Sequence, residues 1–235
     1  MTENAAEPKR RATFILSEAE KRLLVWLVDR LPRRLLPDHL TLIGIFGSVL
    51  VTLAYILANQ SPAWLWLANL GFVINWFGDS LDGTIARVRH IQRPRYGYYL
   101  DHLTDAFSTL AIGLGLGLSP YMLLSVGLAI VIGYLILSIN IYLESQVLGD
   151  FRFGYGVLGP TETRIILILL NSLALLVGPI PFEVFGVGAT IFDLFGLGTV
   201  LVMTAMLTRR VIRNLRNLAR LEPPNVVKER GEAQP

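Results

Sequence analysis

The residues able to do chemistry crowd into one stretch of this chain, GDSLDGTIARVRHIQRPRYGYYLDHLTD, from Gly78 to Asp105. Asp79 and Asp82 are spaced i, i+3, and Asp101 and Asp105 i, i+4, so each pair shares one face of a helix. If a short connection turns the chain back between them, four carboxylates converge. Such a cluster repels itself unless a cation is present. All-oxygen ligation suits a hard divalent ion, Mg²⁺ or Mn²⁺, and the spacing is not that of an EF-hand loop. Arg87 adds a planar donor fork suited to phosphate oxygens, and Gly83 and Ala86 leave room for a ligand or a neighbouring helix beside the backbone. Carboxylates, two bridging metal ions and an arginine together predict a substrate with phosphates, a diphosphate above all.

The elements that must position these groups are apolar. Of 235 residues, 53% are hydrophobic and 17% charged, and the mean hydropathy is +0.53. Soluble domains carry about 25% charged residues, so the composition is that of a membrane protein. With no cysteine, there is no disulfide framework, thiolate metal site or cysteine nucleophile. A spanning helix needs about 20 apolar residues, and six stretches qualify: about 39–58, 63–86, 97–118, 121–144, 162–178 and 187–208. The aspartates fall at the facing ends of the second and third. The fold class expected is therefore an all-α integral membrane protein with six transmembrane helices.

All 21 Lys and Arg lie before Leu35, in 87–95, at Arg152 and Arg164, or from Arg209 onward. With six spans, every one of these segments is on the same side, and the three opposite loops have none. The positive-inside rule then gives an N-in, C-in topology with the aspartate loop in the cytoplasm. The polar start of the chain lacks signal-peptide features, so the first span is expected to direct insertion. Residues 17–36 read as an amphipathic interfacial helix, with Ser17 and Glu20 in capping-box spacing; docking on the protein's own surface is the alternative. Three regions follow: 1–36, an arm with this helix; 37–208, the six-helix catalytic domain; and 209–235, a basic tail extending the last helix. Such juxtamembrane charge orients helices and meets lipid headgroups, and no nucleic-acid role is expected.

Asp79-x-x-Asp82-Gly83-x-x-Ala86-Arg87, nine residues, then Gly97-x-x-x-Asp101-x-x-x-Asp105 resembles the signature of the CDP-alcohol phosphotransferase family, class I CDP-alcohol phosphatidyltransferases. The resemblance implies a Mg²⁺- or Mn²⁺-dependent transfer in phospholipid synthesis. An acceptor hydroxyl attacks the β-phosphorus of a CDP-activated alcohol, CDP-diacylglycerol or a small alcohol, and CMP leaves. By position, Asp79, Asp82, Asp101 and Asp105 would hold two metal ions, with Asp105 also the base. Gly83, Ala86, Arg87 and Gly97 would line the nucleotide. Pro37 and Thr41 match a Pro-Asn-x-x-Thr element of the cytidine pocket, in which this chain has Asp38 for Asn. The resemblance further implies a homodimer in the bacterial inner membrane, with the site on the cytoplasmic side.

The acceptor would be met by the loop before span five, where Arg152, Glu162 and Arg164 are candidates. The two arginines suit a phosphorylated acceptor, with help from Arg209 or Arg210. Glu162 suits an amine or free hydroxyls, or else caps a helix opening at Pro160 and Thr161. His102 points about 100° away from Asp101 on a helix and reads as packing or an interfacial hydrogen bond. Tyr96, Tyr98 and Tyr99 read as an aromatic belt, and Asp193 and Glu183 as interfacial. Two other functions share intramembrane carboxylates. A cation transporter would hold them near the midplane, and a metal-dependent prenyltransferase would carry a second Asp-rich motif elsewhere.

Overall fold

The computed structural model describes residues 16–148, 159–184 and 186–223. In chain order these form α1 (Ser17–Val28), α2 (Pro37–Leu57), α3 (Trp64–Val88), α4 (Pro94–Gly117), α5 (Leu124–Leu148), α6 (Pro160–Val177), β1 (Pro181–Val184), β2 (Val187–Thr190) and α7 (Ile191–Leu221). The helices α2 to α7 occupy the six apolar stretches. Four of them, α2, α5, α6 and α7, are long and apolar enough to cross a membrane. The other two, α3 and α4, are of similar length and carry the aspartates.

Among the described residues the regular elements are helices apart from β1 and β2, which pair antiparallel with Pro181 opposite Thr190 where a plain loop was expected. Gly178, at φ +70°, ends α6 in a backbone conformation that other residues resist. The last helix starts at Ile191, later than expected, because Thr190 and Asp193 cap it. The Thr190 side chain accepts from Phe192 N, and Asp193 Oδ2 accepts from Thr190 N at 2.7 Å. Asp193 is only 2% exposed, and its other oxygen accepts from Leu123 N at 2.7 Å, tying α7 to the start of α5.

The approach of α2 to α3 decides where the site lies. A Cβ on Gly78 would sit 2.2 Å from Gly44 N, and one on Gly47 would sit 2.4 Å from Asn75 N. Only glycines let the two backbones come this close. Away from the aspartates, Val51, Ala54, Tyr55, Leu65, Ala68 and Phe72 form the core with Tyr121, Ala174 and Phe192. Within it, Tyr55 OH donates to Asn171 Oδ1 at 3.0 Å and Asn171 Nδ2 to Asn69 Oδ1 at 2.9 Å. The buried amides of α3 and α6 thereby satisfy each other, as an apolar surrounding demands.

The N-terminal helix differs from its expected form. It ends at Val28, and Leu16 at its N-cap makes no side-chain cap. Glu20 turns instead to α3 and α6. Leu24 and Val28 pack with Leu40, Leu81 and Ile85, so one face docks on the bundle while Leu23 and Trp26 stay exposed. The segment after it folds around Arg89, which donates to the carbonyls of Leu31 at 3.0 Å, Pro32 at 3.1 Å and Leu35 at 2.7 Å. At the far end α7 runs on to Leu221, as the basic extension expected there. Glu144 of α5 accepts from Arg210 Nε at 3.3 Å and Arg213 Nη2 at 3.1 Å.

Candidate active site

Four helices bring the chemistry-bearing residues to one end of the bundle. On α2, Pro37 occupies the first turn, where its missing N–H costs nothing, and Thr41 follows one turn later. Thr41 Oγ1 lies 2.7 Å from Asp82 Oδ2, to which it donates, and 3.2 Å from Pro37 O. The Gly44–Gly78 approach makes this contact possible, since Thr41 and Asp82 lie three and four residues beyond the crossing. Gly83 N donates to the other oxygen of Asp82. Asp79 lies one turn from Asn75, whose Nδ2 donates to Gly44 O at 2.9 Å.

The third helix to reach the cluster is α6. Arg164 Nη2 donates to Asp79 Oδ2 at 2.6 Å, and its Nε donates to Asn75 Oδ1 at 2.8 Å. Its Nη1 is buried with no hydrogen-bond partner among the described residues. From α4, Asp101 and Asp105 complete the group. Asp105 lies in the electrostatic field of Asp79, Asp101, Arg164 and Asp82, and Asp82 in that of Asp79 and Asp101. A cavity of about 10 Å³, room for roughly one water, is lined by Thr41, Asn75, Asp79, Asp82, Thr104 and Ser108.

Among the described residues, no three carboxylates or imidazoles are arranged closely enough to hold a metal ion as they stand. The donor chemistry nevertheless fits a hard divalent cation. Asp105 feels the charges of Asp79, Asp82 and Asp101, Arg164 pairs with Asp79, and oxygen is the ligand type these carboxylates offer. Arg164 and Thr41 each engage one oxygen of their aspartate. Arg164 thus supplies part of the positive charge that such a cluster demands.

The other sequence candidates divide. Arg87 Nη2 donates to Thr84 Oγ1 at 3.0 Å, and a Cβ on Gly83 would meet its Nη1 at 3.2 Å. Ala86 lies on the same turn, partly buried. A Cβ on Gly97 would meet nothing within 4 Å, so the chain's own packing does not require glycine there. Glu162 is committed to backbone: its Oε1 accepts from Leu16 N at 2.9 Å and its Oε2 from Gly159 N at 3.0 Å. This is the capping alternative, reached at the N-terminus of α6. Arg152 lies outside the described residues. Arg210 is taken up by Glu144, and Arg209 is exposed on α7. His102 Nδ1 is 2.8 Å from Tyr98 O, with its ring against Tyr98 and Tyr142, in keeping with packing. Tyr96, Tyr98 and Tyr99 are exposed.

Asn75 and Arg89 escaped the sequence reading, which named Asp38 only as a departure from the family element. Asn75 had a legible signal, being a polar residue within an apolar span one turn before Asp79. Asp38 forms an ion pair with Arg93, whose guanidinium stacks 3.9 Å over the Tyr96 ring. The position that departs from the Pro-Asn-x-x-Thr element therefore has a partner of its own, from a residue 55 positions away. Arg89 belongs to the same basic loop, and only the folded chain shows that it holds carbonyls.

The CDP-alcohol phosphatidyltransferase family pattern matches residues 34–208. The chain is 31% identical over 159 residues to cholinephosphotransferase 1 of Gallus gallus, covering 63% of this chain and 46% of that protein. It is 29% identical over 137 residues to archaetidylinositol phosphate synthase of Pyrococcus horikoshii, covering 58% and 69%. Over 84 residues it is 38% identical to phosphatidylinositol phosphate synthase of Cutibacterium acnes, covering 35% and 37%. The matched region spans less than half the length of the cholinephosphotransferases.

Proposed function

The chain belongs to the CDP-alcohol phosphatidyltransferase family, and from that premise we propose that it transfers a phosphatidyl group from CDP-diacylglycerol to the hydroxyl of an anionic, phosphorylated acceptor. Family membership favours group transfer over the transporter and prenyltransferase readings. The observation that carries the proposal is the grouping of Asp79, Asp82, Asp101 and Asp105 beside Arg164 at one end of the bundle.

Asp79, Asp82, Asp101 and Asp105 would hold two Mg²⁺ or Mn²⁺ ions. These supply charge neutralisation of the diphosphate and stabilisation of the leaving CMP oxygen. Arg87 and Gly83 would bind the nucleotide's phosphates, with Ala86, Gly97, Pro37 and Thr41 around ribose and base. Thr41 holds the Asp82 carboxylate in orientation through its hydroxyl. Asp105 would take the proton of the acceptor hydroxyl as its oxygen attacks the β-phosphorus. The bond from that phosphorus to the bridging oxygen breaks, and the electron pair leaves with CMP. A carboxylate is a weak base for an alcohol, so positioning carries much of the catalysis.

Two observations favour an anionic acceptor. Arg164 presents a buried Nη1 without a hydrogen-bond partner among the described residues. Glu162, the residue that pointed to an amine or free hydroxyls, has both oxygens on backbone amides. Two of the relatives are synthases of inositol phosphate lipids by name, whereas the cholinephosphotransferases are named for choline. We further propose a six-span, N-in and C-in arrangement, with the site on the cytoplasmic face and two copies of the chain forming a dimer.

The test is release of CMP from CDP-diacylglycerol with Mn²⁺ or Mg²⁺ and a panel of free and phosphorylated polyols. Metal-dependent CMP release that requires a phosphorylated polyol is the expected result. Release supported equally by unphosphorylated alcohols would remove the anionic acceptor, and no release with any of them would remove the phosphatidyl transfer.

A further inference from the structure

Glu20 lies outside the signature and outside the matched region, yet its carboxylate is the meeting point of three elements. Its Oε1 accepts from Trp76 Nε1 at 2.8 Å, from Ser80 Oγ at 3.1 Å and from Thr161 Oγ1 at 2.6 Å. Trp76 and Ser80 lie one turn apart on α3, and Ser80 directly follows Asp79. Thr161 is in the first turn of α6, three residues before Arg164. One oxygen of α1 therefore joins the helix that carries Asp79 to the helix that carries Arg164.

A second contact acts on the same turn of α6. Leu16 N, at the head of α1, donates to Glu162 Oε1 at 2.9 Å. The first turn of α6 is thus held to α1 at both Thr161 and Glu162. The seat of α1 itself is apolar: Leu24, one turn beyond Glu20, packs with Leu81 and Ile85 of α3. Hydrogen bonds to a carboxylate are stronger than those between neutral groups, and α1 is fixed on α3 by burial as well.

We infer that Glu20 is a positioning residue, which holds the start of α6 against α3 and so keeps Arg164 on Asp79. The inference rests on the reading of Asp79 and Arg164 as parts of a transferase site. Its structural content, however, can be measured without turnover. A helix end displaced by about 1 Å can cost ~100-fold in rate, so the strut matters most to the step in which Arg164 meets the acceptor.

The chain has no cysteine, so paired spin labels can be placed without background. Cysteines at Val88 on α3 and Thr163 on α6, both exposed, report the α3–α6 separation by pulsed electron resonance on the full chain in nanodiscs. A control pair at Val147 on α5 and Leu215 on α7, also exposed, reports a contact that does not involve Glu20.

The expected result is a broadened α3–α6 distance distribution in Glu20→Ala, retained sharpness in Glu20→Gln, and an unchanged control pair. Thr161→Val, which leaves α1 its bonds to Trp76 and Ser80, should broaden the same distance and serves if Glu20→Ala does not fold. An α3–α6 distribution as sharp as that of the parent chain in both Glu20→Ala and Thr161→Val overturns the inference. So does equal broadening of the control pair, which would make Glu20 a general stabiliser. CMP release from CDP-diacylglycerol on the same samples tests the transferase reading separately. A parent chain that releases none removes that reading and leaves the distance result standing.

Discussion

Arg164 of α6 and Asp79 of α3 are joined by a hydrogen-bonded ion pair of 2.6 Å, with the two side chains 13% and 23% exposed. An arginine therefore pairs with one of the aspartates that the signature groups together, while Thr41 engages another, Asp82. The charge of Arg164 occupies part of the role that a divalent cation would fill, and the first prediction follows from that overlap.

Replacing Arg164 by Gln leaves Asp79 without a counter-charge beside three other carboxylates. Breaking a fully buried pair costs about 3–5 kcal/mol, and the partial exposure of this one should bring its loss below that. Mn²⁺ should restore more stability to this variant than to the parent chain, because the cation then supplies the missing charge. Thermal unfolding in detergent with EDTA and with Mn²⁺ measures the difference. Equal metal-induced shifts in both proteins would contradict it.

Asp105→Asn should reduce CMP release by at least ~100-fold, the usual contribution of a positioned base, while unfolding temperature and nucleotide binding stay near those of the parent. Near-parental turnover in purified Asp105→Asn would end its assignment as base. EDTA should abolish turnover of the parent chain, and added Mn²⁺ should restore it.

Thr41→Val removes the hydroxyl that donates to Asp82 Oδ2, and orienting partners of metal ligands are worth about 10- to 100-fold in metal affinity or activity. The Mn²⁺ concentration for half-maximal activity should rise by about that factor. Thr41→Ser, which keeps the hydroxyl, should stay close to the parent. A Val variant with an unchanged Mn²⁺ requirement would show that the hydroxyl only packs.

Two glycines should behave oppositely. Gly47→Ala drives a Cβ to 2.4 Å from Asn75 N, a backbone atom, so α2 and α3 must separate, at a cost of about 1–3 kcal/mol or more. Gly97→Ala meets nothing within 4 Å and should fold as the parent does. If a nucleotide packs against Gly97, the Ala variant loses CDP-diacylglycerol affinity while its unfolding temperature stays unchanged. Full activity in Gly97→Ala would place the nucleotide elsewhere.

Much of this arrangement was legible before folding was considered. The runs of apolar residues mark the six long helices to within a few positions, because burial in lipid leaves few other ways to satisfy a backbone. The spacing of the four aspartates puts each pair on one helix face. What spacing cannot carry is the relation between distant helices. Arg164 lies 85 positions from Asp79, and Glu20 lies 141 from Thr161. Ser17 and Glu20 have a capping-box spacing, but three donors from α3 and α6 compete for the Glu20 carboxylate and win it. On α1 the apolar residues divide between two surroundings. Leu24 and Val28 face the bundle while Leu23 and Trp26 face out, a division that only the docking partner determines.

The last helix carries a consequence for the bilayer itself. With 31 residues and a rise of about 1.5 Å each, α7 is about 46 Å long, some 16 Å more than a typical hydrocarbon core. Its first lysine or arginine is Arg209, and the next residue, Arg210, is clamped by Glu144 of α5. The 18 residues before Arg209 reach about 27 Å, matching the 18 residues of α6. If α6 and α7 cross the bilayer, a markedly thicker membrane would have to immerse the Arg210–Glu144 clamp or thin around it.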